Sequence, residues 1–168
     1  MMKWGCIKCG TEIPQDREFC DVCEERQFKK IRGFLVLPFA SLFLMGFIFL
    51  VEITGFFKII TLNYNNLTEN GKLYFLISMF IDSVMFLFIT YIISLFIKKK
   101  KTLPKAYIGL IIATIATMSF KLYLYFILLS PSSIGYNELV PIFRNILSAF
   151  IWIPYFLVSE RVKRTFVN

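Results

Sequence analysis

The sequence predicts an all-α membrane protein, a four-helix transmembrane bundle with a small N-terminal four-cysteine zinc ribbon. Three observations predict it. Hydrophobic residues make up 57% of the 168, with twenty Phe, and mean hydropathy is +0.67. A soluble domain of this length has too little interior to bury that much apolar surface. The apolar residues gather in four blocks, each long enough to cross a bilayer. All four cysteines lie within residues 6–23, as two C-x-x-C pairs. A greasy soluble helical bundle is the competing reading, and the block lengths weigh against it. The division is a ribbon over residues 1–26, a basic linker over 27–32 and a four-span transmembrane domain over 33–168.

In the ribbon, Cys6-x2-Cys9 is followed after ten residues by Cys20-x2-Cys23. Each C-x-x-C turn can aim two thiolates at one ion. Four thiolates close a tetrahedral shell at Zn–S distances of about 2.3 Å. Gly10 follows Cys9, where a turn needing positive φ favours glycine, and Phe19 stands beside Cys20 to cover the site. The expected cofactor is one structural zinc ion. Disulfides, which need an oxidising compartment, a redox pair and an iron site are the alternatives. With almost no core of its own, the module is expected to depend on its ion for folding. The segment from Cys6 to Gly10 and from Glu18 to Cys23 resembles the short zinc ribbons of bacterial membrane proteins. It departs from them in carrying Glu24 where they place a second glycine.

The first span runs over about 33–53, with a possible continuation past Glu52 to Ile60, and the apolar stretch begins too late to read as a signal peptide. The others cover about 73–97, 106–129 and 139–158. In lipid an isolated strand could not satisfy its backbone, so each block reads as helix. Pro104 and Pro141 fall near helix starts, where a missing N–H matters little. Pro38 and Pro154 fall inside spans and predict kinks.

Charge predicts orientation. Seven Lys and Arg precede the first span, five lie between residues 98 and 105, and Arg161, Lys163 and Arg164 follow the fourth span. Those fifteen share one side, against Lys58 and Lys72 on the other. The positive-inside rule then puts both termini in the cytoplasm, where anionic lipid headgroups are a natural partner of the basic residues.

Four charges fall within the spans: Glu52, Asp82, Lys121 and Arg144. Asp82 and Lys121 lie about 13 and 12 Å from the outer ends of their helices at the helical rise, so an ion pair between them is allowed. Glu52 is the expected partner of Arg144. The set reads as a structural network, as a ligand or ion site, or as cations that snorkel outward.

The closing stretch from Ala149 to Phe166 resembles the end of the bacterial membrane family called domain of unknown function 2569. The resemblance rests on Trp152-Ile153-Pro154-Tyr155 and on Ser159-Glu160-Arg161-Val162-Lys163-Arg164-Thr165-Phe166. Gly33-Phe34-Leu35 is similar to the family's opening, with Phe34 in place of Trp. The basic loop and Arg144 also match positions of the family. The resemblance implies four spans, a bacterial cytoplasmic (inner) membrane and no known activity. Physically, Ser159 to Phe166 reads as a lipid-anchoring tail, with Phe166 dipping into acyl chains, or as a docking surface for the ribbon or a partner.

No histidine occurs, which removes the commonest general acid and base, and every cysteine is committed to the ribbon. An enzyme is not expected, and neither is nucleic-acid binding. The favoured role is a membrane-anchored interaction or regulatory protein, presenting the ribbon to a protein partner. The alternative is a small oligomeric transporter, channel or accessory subunit using Asp82 and Lys121.

Overall fold

The computed structural model describes residues 4–28, 33–131 and 135–166, except the side chains of Glu25, Gln27, Phe28, Asn137, Arg161 and Arg164. Most of the basic linker 27–32 and part of the loop after Pro131 therefore lie outside the described residues. A short helix α1 (Asp21–Phe28) belongs to the cysteine module. One turn of 3-10 helix (Gly33–Leu35) leads into α2 (Val36–Asn63), followed by α3 (Glu69–Ile97), α4 (Leu103–Leu129), α5 (Tyr136–Val158) and α6 (Glu160–Thr165). Among the described residues there is no strand, only one bridge between Gly5 and Glu12.

The helices α2 to α5 are long and apolar enough to cross a membrane, with mean hydropathy from 1.4 to 2.3 over the spanning windows. They carry their apolar residues on the outside: Phe80 is 69% exposed and Phe150 75%. In water such a surface would drive aggregation. Against acyl chains it is the required solvent contact, and the chain is a multi-pass membrane protein.

Each helix begins earlier or ends later than its predicted span. Helix α2 does not stop near residue 53; it runs to Asn63, because Glu52 is satisfied inside the bundle (below) and Phe56, Phe57 and Ile59 continue the apolar run. Helix α3 starts at Glu69 because the Thr68 side chain caps it, accepting from the Gly71 amide at 3.1 Å. Pro104 sits in the first turn of α4. Pro38 also lies in a first turn, that of α2. The expected kink there has no cause, because first-turn amides have no helical acceptor to lose. Pro154 is interior to α5, and so is Pro141, expected near a helix start; α5 begins five residues before it, at Tyr136. Between α3 and α4 the chain reverses through Lys99 at φ 51°.

The helices pack in chain order, α2 on α3, α3 on α4 and α4 on α5. The apolar core is not spread evenly along them. Leu35, Leu42, Phe96, Leu103, Tyr107, Phe156, Val162 and Phe166 are buried together, and all lie in the half of the bundle next to the cysteine module. We call this the module end. In the far half the fully buried side chains, among the described residues, are Ser78 and Asp82.

Candidate metal centre and intramembrane charges

The first cysteine pair lies on a tight reverse loop. Cys6 N–H donates to the Thr11 carbonyl at 2.8 Å, and Gly10 N–H donates back to the Cys6 carbonyl at 2.9 Å. Gly10 has φ +72°, a region that disfavours any side chain. The Ile7 amide reaches across to the Glu18 carbonyl at 3.2 Å and ties this loop to the second pair. That pair is built differently. Cys20 immediately precedes α1, Cys23 lies in its first turn, and the Glu24 amide donates to the Cys20 carbonyl at 2.9 Å. A helical turn supplies the reversal, so the usual second glycine is not needed and Glu24 stands there without strain. Arg17 pairs with Asp21 at 2.7 Å across the start of the helix.

The four Sγ atoms all lie within 4.8 Å of one another, and those of Cys9 and Cys20 are 3.4 Å apart. A tetrahedron with Zn–S bonds near 2.3 Å has sulfur–sulfur edges of about 3.8 Å. The donor set therefore fits one thiophilic ion. The electrostatics agree. The Cys20 amide, donating to Cys6 sulfur, lowers the Cys6 thiol to about 6. The Thr11 hydroxyl lowers Cys9. The neighbouring sulfurs of Cys20 and Cys9 push Cys23 up to about 12. A divalent ion would relieve the crowding of negative charge that holds the last proton on Cys23. The four cysteines can hold a metal ion.

The module is seated on the bundle through α1, which lies against α6. Helix α6 is itself anchored. Ser159 caps it, accepting from the Val162 amide at 3.5 Å. Val162 and Thr165 are fully buried, and Phe166 packs edge-on to Phe96 at 5.2 Å. Phe96 in turn meets Phe39 at 5.1 Å. This corrects the expectation for Phe166, which enters the protein core and not the acyl chains, because Phe39 and Phe96 offer it a ring-lined slot. Trp152 packs edge-on to Tyr155 at 5.7 Å, and Tyr155 against Phe156, whose ring lies 4.4 Å from that of Tyr107. Pro154 and Lys163 are exposed; Arg161 and Arg164 are on α6, with side chains outside the described residues.

In the far half, Lys121 Nζ donates to Glu52 Oε2 at 2.8 Å and to both Asp82 oxygens at 2.9 and 3.0 Å. Asp82 is fully buried, while the Lys121 and Glu52 side chains are 16% and 35% exposed. The Phe56 ring lies 5.5 Å from the ammonium. One cation on α4 thus joins acids on α2 and α3. The expected Glu52–Arg144 pair is not formed: the two residues line one small hollow between α2, α4 and α5, but the Lys121 ammonium holds Glu52. Lys121 and Glu52 face a cavity of about 280 Å³, also lined by Tyr74, Tyr125 and Glu138.

None of Tyr74, Tyr125 and Glu138 is singled out as a site residue by the sequence alone. Spacing held a signal for the tyrosines. Tyr74, Ser78 and Asp82 recur every four residues on α3, and Lys121 and Tyr125 do so on α4, which places each set on one helix face. Glu138 enters from the next helix, and no periodicity links it to the others.

The model of the family described as "Protein of unknown function (DUF2569)" matches residues 28–167, most of the chain and all four spans. No curated protein and no solved structure matches the chain.

Proposed function

Since the chain belongs to the DUF2569 family, a membrane-helix bundle of unknown function, we propose that it is a membrane-anchored interaction or regulatory protein. It presents a structural zinc ribbon to the cytoplasm, from a bacterial inner membrane. The observation that carries this reading is the seating of α1 on α6, with α6 itself plugged into the bundle core. A module on a loose tether would need no such seat. A fixed one offers a partner protein a surface of constant orientation. Trp4, Ile7 and Val22 are its exposed apolar residues, and Asp16, Arg17, Glu18 and Glu24 border a polar hollow beside them. Four thiolates suit zinc, and a closed shell leaves the ion no catalytic position. The basic residues near the module end favour its cytoplasmic placement and give that face affinity for anionic headgroups. The reading assigns no enzymatic step and no nucleic-acid partner.

Affinity capture from native membranes tests it, comparing the intact chain with a Cys20→Ser/Cys23→Ser variant shown to insert normally. A protein retained only by the intact chain supports a recognition role for the ribbon. Identical capture by both forms removes that role.

A second reading, a small oligomeric transporter, channel or accessory subunit, is favoured by the triad of Glu52, Asp82 and Lys121 at the wall of an open cavity. Four helices are few for a pathway, so a homo-oligomer would have to complete it. On this reading Asp82→Asn abolishes flux in a bundle that stays folded.

A further inference from the structure

Three of the four intramembrane charges satisfy one another, and Arg144 is the fourth. It makes no ion pair among the described residues, although it sits eight residues into α5, about 12 Å along the axis. A guanidinium within a span is costly without an anion, and such residues usually find one. Glu52, which lines a small hollow together with Arg144, is held by Lys121 at 2.8 Å.

Arg144 lines a groove of about 340 Å³ between α2, α4 and α5. Its walls include Ser41 and Met45 of α2, Tyr107 and Thr114 of α4, and Ser148 and Trp152 of α5. Helices α2 and α5 are the two ends of the row of four, so no further helix of this chain lies between them. Trp152 is eight residues beyond Arg144, another 12 Å or about that along α5. The wall below the guanidinium is mostly apolar and much longer than a free anion requires. Its length and character suit an acyl chain, and the charge at its upper end suits an acidic headgroup.

We propose that this groove binds an anionic phospholipid of the surrounding membrane, with the phosphate on Arg144 and one acyl chain lying along α5 toward Trp152. The planar guanidinium matches two phosphate oxygens at once, and its long stem lets it rise toward the headgroup layer while the chain stays in the groove. The site is independent of the cytoplasmic lysines, whose attraction to lipid is diffuse and screened by salt.

Trp152 reports on the groove directly. With Trp4→Phe it is the sole tryptophan, and lipids brominated at mid-chain quench it on contact. The full chain is reconstituted in phosphatidylcholine at high salt and titrated with brominated phosphatidylglycerol or brominated phosphatidylcholine. The anionic lipid is expected to quench at a membrane fraction lower by roughly tenfold. Phosphatidylcholine offers the same phosphate, but its choline cation offsets the charge that Arg144 meets, a difference of about 1 kcal/mol or somewhat more. Arg144→Gln should bring the two lipids to the same curve, while Arg144→Lys keeps part of the preference. Ser148→Phe, which fills the groove and keeps the charge, should suppress quenching by both. Equal quenching by the two lipids in the parent chain overturns the proposal, as does a preference that survives Arg144→Gln. Displacement of the brominated lipid by millimolar inorganic phosphate would also overturn it, because the site would then serve a soluble anion.

Discussion

At the module end the helices meet through aromatic rings, Phe96 of α3 with Phe39 of α2 and with Phe166 beyond α6, and Tyr107 of α4 with Phe156 of α5. At the far end, the same α2, α3 and α4 meet through one ammonium and two carboxylates. Lipid tails are as apolar as Leu, so helices in a bilayer gain little from burying apolar surface against each other. They associate through close packing or through polar bonds. This bundle uses one device at each end. Ring packing joins α2, α3 and the segment beyond α6, and that is where the cysteine module rests. Ionic bonding holds helices at the length of a lysine side chain and leaves an open cavity of about 280 Å³.

The largest expected effect breaks the module alone. Binding of structural zinc to small four-ligand peptides is worth roughly 10–16 kcal/mol at neutral pH, more than this module can draw from its own packing. Chelation should abolish amide protection over residues 5–24 in hydrogen exchange, and weaken it in α6, while α2 to α5 stay protected. Metal uptake at pH 7 should also release protons, because the Cys23 thiol, pushed up to about 12, must ionise to bind. For the same reason affinity falls as the pH drops. Retained protection in the chelated module would mean that its seat on α6, and not the ion, holds it folded.

Next comes the far end. Lys121→Met leaves Asp82 buried beside Glu52 with no cation, and breaking a buried pair costs about 3–5 kcal/mol. The lower figure applies, because Glu52 is 35% exposed and can turn toward water. The triple variant Glu52→Gln/Asp82→Asn/Lys121→Met should recover most of the loss in thermal unfolding. If the single variant melts with the parent, the ionic contact does not hold this end together. The matching change at the module end, Phe96→Ala, removes the ring shared by Phe39 and Phe166. Its expected cost is about 3 kcal/mol, with loss of α6 protection that Lys121→Met does not produce.

The same division explains what the sequence disclosed. Spans are legible because hydropathy is a local property of the chain, and the cysteine cluster is legible because its ligand spacing is local too. Asp82 and Lys121 could be matched by depth along adjacent helices. The double role of Lys121 could not, because depth says nothing about which helix lies at which side, and Glu52 and Arg144 looked equally paired on paper. From sequence, Phe166 stays open between acyl chains and a docking surface for a related reason. An aromatic residue beyond the last span suits lipid and protein alike, and only the ring-lined slot at Phe96 decides between them. Glu24 is the converse case. A departure from the usual ribbon pattern marked the place where a helix, α1, replaces a glycine turn.

The smallest effect compares the two ends on equal chemistry. Thr68 caps α3 at the far end with a 3.1 Å bond to Gly71, and Ser159 caps α6 at the module end with a 3.5 Å bond to Val162. Loss of such a cap costs about 1 kcal/mol, and the longer bond should contribute less. Thr68→Ala is thus expected to lower the melting temperature of the bundle more than Ser159→Ala does. Exchange should rank them the other way at the module. Ser159 sits where the chain leaves α5 and turns into α6, so its loss should raise exchange in α6 and α1, which Thr68→Ala leaves alone. If Ser159→Ala changes neither helix, α6 is held by Val162 and Phe166 alone, and the seat of the metal module is a matter of ring packing.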